Sequence, residues 1–138
     1  MIIRTGYDEA YFPSITLESY DVNNRYNMRC VVVSLKMGSR GEMTLWYSYD
    51  EIVAFRIDVY REVWINEFHI CENIWSQTTG KHLNWIDPSK EKRESYEEFS
   101  ENLRRAFIIF YSGVSASIPN HKRHNNNSKE KHMRKITV

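Results

Sequence analysis

At 138 residues, 41% apolar and 14% aromatic, the chain suits one folded domain and is too short for two sizeable cores. Its formal charge of +1 hides a division, because residues 1–119 hold 13 Lys/Arg against 17 Asp/Glu while residues 120–138 hold 6 against 1. An acidic body argues against a general duplex-DNA binder, which presents a basic face. No apolar run approaches the ~18 residues of a membrane span and the first residues are not those of a signal peptide, so no membrane and a cytoplasmic location in the host cell are expected.

Residues 1–14 mix Gly6, Pro13 and aromatics without period and read as an irregular lead-in. Alternation over 15–20 gives a first edge strand, and Asp21-Val22-Asn23-Asn24 a turn, since Asn accepts positive φ. The spacing predicts a strand over 29–37 with Val31, Val33, Leu35 and Met37 on one face, a loop at Gly38-Ser39-Arg40-Gly41, and a return strand over 42–49. In the latter, Met43, Leu45, Tyr47 and Tyr49 alternate with Thr44, Trp46 and Ser48. A strand over 52–60 places Val53, Phe55, Ile57 and Val59 opposite Ala54, Arg56 and Asp58, and 62–74 follows with a blurred period. The short links imply an antiparallel meander of about four strands with one face wet.

Ser95-Tyr96-Glu97-Glu98 is a capping box that opens a helix over 96–112, with Phe99, Leu103, Ala106, Phe107 and Phe110 on one face and Gly113 as terminator. Ile108, Ile109 and Tyr111 make its end apolar nearly all round, so that end is either deeply buried or meets a second copy in a homodimer. The fold expected is α+β, an antiparallel sheet packed by one C-terminal helix in a single domain over 1–119. Residues 120–138 form a basic tail with a long apolar-free stretch, expected to be disordered, whose Lys122, Arg123, Lys129, Lys131, Arg134 and Lys135 are candidate phosphate contacts.

The densest run of polar chemistry lies at 75–87, Trp75-Ser76-Gln77-Thr78-Thr79-Gly80-Lys81-His82-Leu83-Asn84-Trp85-Ile86-Asp87. If Ser76 or Thr78 caps a short helix, free amides beside Lys81 and His82 favour an anion, and Trp75 or Trp85 offers a stacking surface for a base. Trp75, Ser76, Thr78, Thr79, Lys81, His82 and Trp85 are therefore the candidate binding residues. The competing reading is a capped helical turn whose Trp residues plug a sheet edge. A single glycine is far from a P-loop, and no cofactor motif is present.

Other constellations point to less. Glu67, His69 and Cys71 share one strand face but stand about 7 Å apart along it, without the loop ligands that close a tetrahedron, so no metal is expected. Cys30 and Cys71 lie in apolar runs and read as reduced buried thiols, with a disulfide between neighbouring strands as the alternative. His82 with Asp87 could form a general-base pair, but no nucleophile or metal is present for it to serve, and no catalytic residue is assigned. A non-enzymatic binding protein is expected, its partner nucleic acid ahead of a host protein.

Ser48-Tyr49-Asp50-Glu51-Ile52-Val53-Ala54-Phe55 and Asn73-Ile74-Trp75-Ser76-Gln77-Thr78-Thr79-Gly80-Lys81-His82-Leu83-Asn84 together resemble a group of small, uncharacterised proteins of bacteriophages, plasmids and other mobile elements. In that group an S-Y-x-x-x-V-A strand precedes a W/Y-S-x-T-T-x-K/R-H segment. Glu51 stands where the group carries a small hydroxyl residue, and the 56–72 spacer is longer. The resemblance implies an origin as an accessory protein of such an element; it brings no catalytic residues.

Overall fold

The structure is a computed structural model and describes residues 2–3, 13–21 and 28–117. Among the described residues seven strands form one sheet in chain order: β1 (Ile2–Ile3), β2 (Ser14–Ser19), β3 (Cys30–Lys36), β4 (Gly41–Ser48), β5 (Glu51–Arg61), β6 (Val63–Cys71) and β7 (Arg93–Glu94). All neighbours are antiparallel except β6 and β7, which run parallel. Two helices interrupt this order, α1 (Gln77–Ile86) before β7 and α2 (Tyr96–Ser117) after it.

The antiparallel meander and the C-terminal helix are as the pattern predicts; the strand number is not. The expected count of about four becomes seven because β1 and β7 are two-residue strands, too short to carry a period, and the strand expected at the edge over 15–20 pairs as β2 with β3 on one side and β1 on the other, so it is not the edge. Residues 62–74 also stop being strand at Cys71, and β7 pairs with the last two residues of β6 on the edge away from β5. The predicted turn at Asp21-Val22-Asn23-Asn24 falls mostly on residues outside those described, as does the whole 120–138 tail. Gly113 does not end α2, which runs on to Ser117.

Alternation sets the layers. Leu35, Met43, Leu45, Phe55, Ile57 and Val59 point to one face, where Phe99, Ala106 and Phe110 of α2 close over them. The Ser95 hydroxyl caps α2 by accepting the Glu98 amide at 3.2 Å. The other face is not simply wet. Val53, Ala54 and Ile70 are fully buried there beneath Leu83 of α1, with Trp46, Phe68 and Ile86 at the margin. Val53 was expected beside Phe55, but a β-bulge between Trp46 and Tyr47 shifts the β4–β5 register, and Val53 joins Ala54 under α1. Cys30 on β3 and Cys71 on β6 are both buried free thiols with β4 and β5 between their strands, so the disulfide alternative does not arise. Burial, followed by Glu72, Glu94 and Glu97, pushes the Cys71 thiol up to about 12, which makes it inert at neutral pH.

Among the described residues three turns hold left-handed residues. Gly38 (φ 56°) serves the β3–β4 link, Tyr49 (φ 57°) the β4–β5 link and Glu62 (φ 66°) the β5–β6 link. Gly41 needs its missing side chain for a different reason. A Cβ there would lie 2.5 Å from Val59 Cγ1 on the paired strand, and Val59 is β-branched and fully buried. Gly41→Ala is therefore expected to cost about 1–3 kcal/mol by urea unfolding, and to cost less in a Val59→Ala background than in the wild type. Among the described residues no helix is long and apolar enough to cross a membrane.

Candidate functional site

The polar 75–87 run folds as α1. Asn73 sets its entry: its Nδ2 donates to Ser76 O at 2.8 Å, and its Oδ1 accepts the Trp75 amide at 3.0 Å. Ser76 is the cap, its Oγ accepting the Thr79 amide at 3.1 Å. Helical spacing then sends Thr79, His82, Leu83 and Ile86 towards the sheet and leaves Gln77, Thr78, Lys81, Asn84 and Trp85 outward.

The inward face carries a chain of hydroxyls that starts at the exposed Ser76 and ends, buried, on an imidazole. Ser76 Oγ donates to Thr79 Oγ1 (3.2 Å); Thr79 Oγ1 lies 2.9 Å from Ser48 Oγ, and Ser48 Oγ lies 2.7 Å from His82 Nδ1. With each hydroxyl donating once, the chain runs Ser76 to Thr79 to Ser48 to His82 and ends on an unprotonated Nδ1. Burial lowers the His82 pKa below its usual 6.5; Asp21 opposes that shift and Arg29 adds to it, so the neutral ring the chain requires is the favoured one. Trp85 and Tyr49 flank the ring at 5.3 and 5.8 Å, and Tyr20 meets it edge-on at 6.1 Å while its hydroxyl donates to Tyr47 O at 2.8 Å. This cluster clasps α1 to the end of β4.

The outward face forms one wall of an open cleft of about 350 Å³. Lys81, Lys90 and Arg93 line it with the amides of Asn73, Gln77 and Asn84, and among the described residues no carboxylate does. Arg93 is held from behind, its Nη2 donating to Asn84 Oδ1 (2.9 Å) and Asp87 O (3.2 Å), while its Nε is buried without an acceptor. The nearby acid is already occupied. Asp87 accepts the Ser89 amide at 2.8 Å, which with Lys92 at 3.3 Å holds its carboxyl below the usual range. Gly80 floors the cleft, and a Cβ there would come within 3.0 Å of Asn73 Nδ2.

The predicted site residues thus divide. Lys81 lines the cleft, and Thr78 and the half-exposed Trp85 lie on the adjoining outer flank of α1. Thr79 and His82 are 3% and 2% exposed and face the sheet, not a ligand. Ser76 spends its hydroxyl on the cap, and Trp75 wedges between the two cores with its ring 6.2 Å from Tyr96. His82 and Asp87, considered as a pair, bond to different partners. Lys122, Arg123, Lys129, Lys131, Arg134 and Lys135 lie outside the described residues. Glu67 and His69 meet at 3.0 Å, but His69 turns its Nδ1 to Glu94 at 2.5 Å and stacks on Phe55. Lys90 and Arg93 were missed; the one available signal was the Lys90-Glu91-Lys92-Arg93 run, which reads alone as a solvated turn.

The family model that matches is described as a family of unknown function, DUF8033, and its match covers residues 9–101. The chain belongs to that family. The DUF8033 match takes in both 48–55 and 73–84, the two segments that the clasp joins through Ser48, Thr79 and His82. It also takes in every residue lining the cleft. No curated protein and no solved structure matches the chain.

Proposed function

We propose that this DUF8033 protein is a small non-enzymatic accessory protein of a phage or other mobile element, working in the host cytoplasm, that binds nucleic acid through the outer face of α1 and the basic tail. The observation that carries the reading is the cleft: three cations and three amides without a carboxylate, on a body with more acids than bases. Lys81 and Lys90 make no ion pair among the described residues, so both charges are available to phosphate. Trp85 stands one helical turn from Lys81 with half its surface exposed, which suits stacking of an unpaired base beside a bound backbone. The mobile-element origin rests on the sequence resemblance.

Anisotropy titration of a labelled single-stranded oligonucleotide tests this. Each phosphate neutralised on a single strand gives about a 2.6-fold loss of affinity for a fourfold rise in salt. Lys81→Ala is expected to weaken binding and flatten the salt slope, and Trp85→Ala to weaken binding with the slope unchanged. No binding at low salt overturns the proposal.

A second reading has its own observation. Tyr60, Val63 and Trp64 are each more than half exposed at the β5–β6 hairpin, with the Tyr60 and Trp64 rings 5.9 Å apart. Exposed aromatics at one hairpin suit contact with a host protein. Such a contact persists in high salt and is lost in Trp64→Ser, with Lys81→Ala without effect.

A further inference from the structure

We infer that the cleft between α1 and the Lys90–Arg93 segment is a receptor for a terminal phosphate, the phosphomonoester at the end of a nucleic-acid strand, and not a groove that tracks internal phosphodiesters. The inference rests on the nucleic-acid reading above and names the part of the ligand that the cleft takes.

Size is the first argument. A space of about 350 Å³ holds a phosphate with its sugar, whereas a track for several nucleotides needs a run of cations along a surface. Here the cations converge. Lys81 comes from α1, Lys90 from the 3-10 turn at Lys90–Lys92 that follows, and Arg93 from the start of β7, so cations of three separate elements line one place.

Charge is the second argument. Three cations without an acid exceed what one phosphodiester, with its single charge, can neutralise. A phosphomonoester carries close to two charges at neutral pH and three acceptor oxygens free of the chain. Arg93 matches such a group in detail. Asn84 and the Asp87 carbonyl fix the guanidinium by Nη2, while its Nε is a buried donor still lacking an acceptor. So held, the guanidinium keeps its Nη1 donors, unbonded among the described residues, for a phosphate oxygen. The three lining amides add neutral donors that coordinate the remaining oxygens without further charge.

Surroundings are the third argument. Asp87 beside the cleft is held by the Ser89 amide and Lys92 and does not quench it. Elsewhere on the body Arg104 pairs with Glu101 and Arg105 with Glu67, and residues 1–119 hold more acids than bases. An internal stretch of strand would therefore leave the cleft onto an acidic body. A strand that enters by its end meets the cations alone, with Trp85 next to Lys81 on α1 to take the terminal base.

The experiment uses the full chain and three versions of one labelled single-stranded DNA: 5′-phosphate, 3′-phosphate and hydroxyl at both ends. One phosphorylated form is expected to bind about tenfold tighter than the unphosphorylated strand, the worth of one charge-assisted hydrogen bond or two. That advantage is expected to vanish in Lys90→Ala and in Lys81→Ala, whose exposed side chains leave the thermal midpoint unchanged, while residual binding of the unphosphorylated strand survives. Equal affinity for all three strands overturns the inference and leaves the nucleic-acid reading standing. No binding of any strand at low salt overturns both. A free nucleoside monophosphate that competes as well as the phosphorylated strand itself also overturns it, because the site would then be one for small phosphomonoesters.

Discussion

His82→Ala is expected to destabilise the protein by about 2–4 kcal/mol. The imidazole is almost fully buried, so its removal leaves a cavity ringed by Tyr20, Tyr49 and Trp85, and it takes from Ser48 the acceptor at the end of the hydroxyl chain. Ser48→Ala attacks the same clasp from the sheet and is expected to cost about 1–3 kcal/mol, since Thr79 Oγ1 and His82 Nδ1 both lose a buried partner. The two losses should not add, because both remove one network; the double variant is expected to lie well short of the sum. Urea unfolding of the four proteins checks this. A His82→Ala protein as stable as wild type would mean that α1 is not clasped through this ring.

The same residue gives a pH dependence whose direction is fixed. His82 in the fold resists protonation because burial lowers its pKa from 6.5, whereas the unfolded chain takes up the proton at the ordinary value. The unfolded state therefore binds more protons below 6.5, and stability falls as pH drops through that window and is complete above it. The difference between the melting profiles of wild type and His82→Gln, scanned from about pH 5 to 8, is expected to shrink as the solution is made acid. A constant difference across the scan contradicts the neutral, acceptor role of Nδ1.

Phe55→Ala is expected to have the largest effect, about 3–5 kcal/mol, out of the roughly 5–15 kcal/mol that a domain commands. Phe55 is wholly buried at the middle of β5, stacked on His69 at 4.8 Å and tilted against Phe99 of α2 at 5.5 Å. Removing it empties the contact that seats the helix on the sheet and frees His69, which Glu67 and Glu94 hold from either side. Phe55→Leu keeps much of the volume and should cost markedly less. A loss below about 1 kcal/mol for Phe55→Ala would mean that α2 does not pack on β5 through this ring.

The strands whose outer face is wet were legible in the residues. Met43 and Leu45 alternate with Thr44 and Trp46, and the period of two names both the strand and its buried side. Helix α2 was legible for the same reason, through Phe99, Ala106 and Phe110 and the Ser95 cap. The second buried layer was not. Ala54 is small and sits between Val53 and Phe55 in a continuous apolar run, and a one-residue bulge moves Val53 to the opposite face without leaving any mark in the sequence. Strand β7 escaped because two residues carry no period and its pairing with β6 is parallel and distant in the chain.

At the site, the 75–87 segment was recognised, but not its sidedness. Ser, Thr and His are polar enough to read as surface, and only the partner on another strand, Ser48, makes Thr79 and His82 interior residues. Lys81 sits two residues from Thr79 and one from His82, and it is the helical turn that sends it to the opposite side. Lys90 and Arg93 join it only through the fold of 87–93, which no spacing rule predicts.

Helix α1 has an inner face that clasps the sheet and an outer face proposed to bind, and amide-resolved NMR of the labelled full chain titrated with a single-stranded oligonucleotide separates the two most directly. Shifts are expected to concentrate on Lys81, Asn84, Lys90, Arg93 and the Trp85 indole, with Ser48 and Thr79, the half-buried Thr16 and Thr44 and the exposed Arg56 of the sheet little changed. Shifts confined to 120–138, or centred on Thr44 and Arg56 of the open sheet, would contradict it.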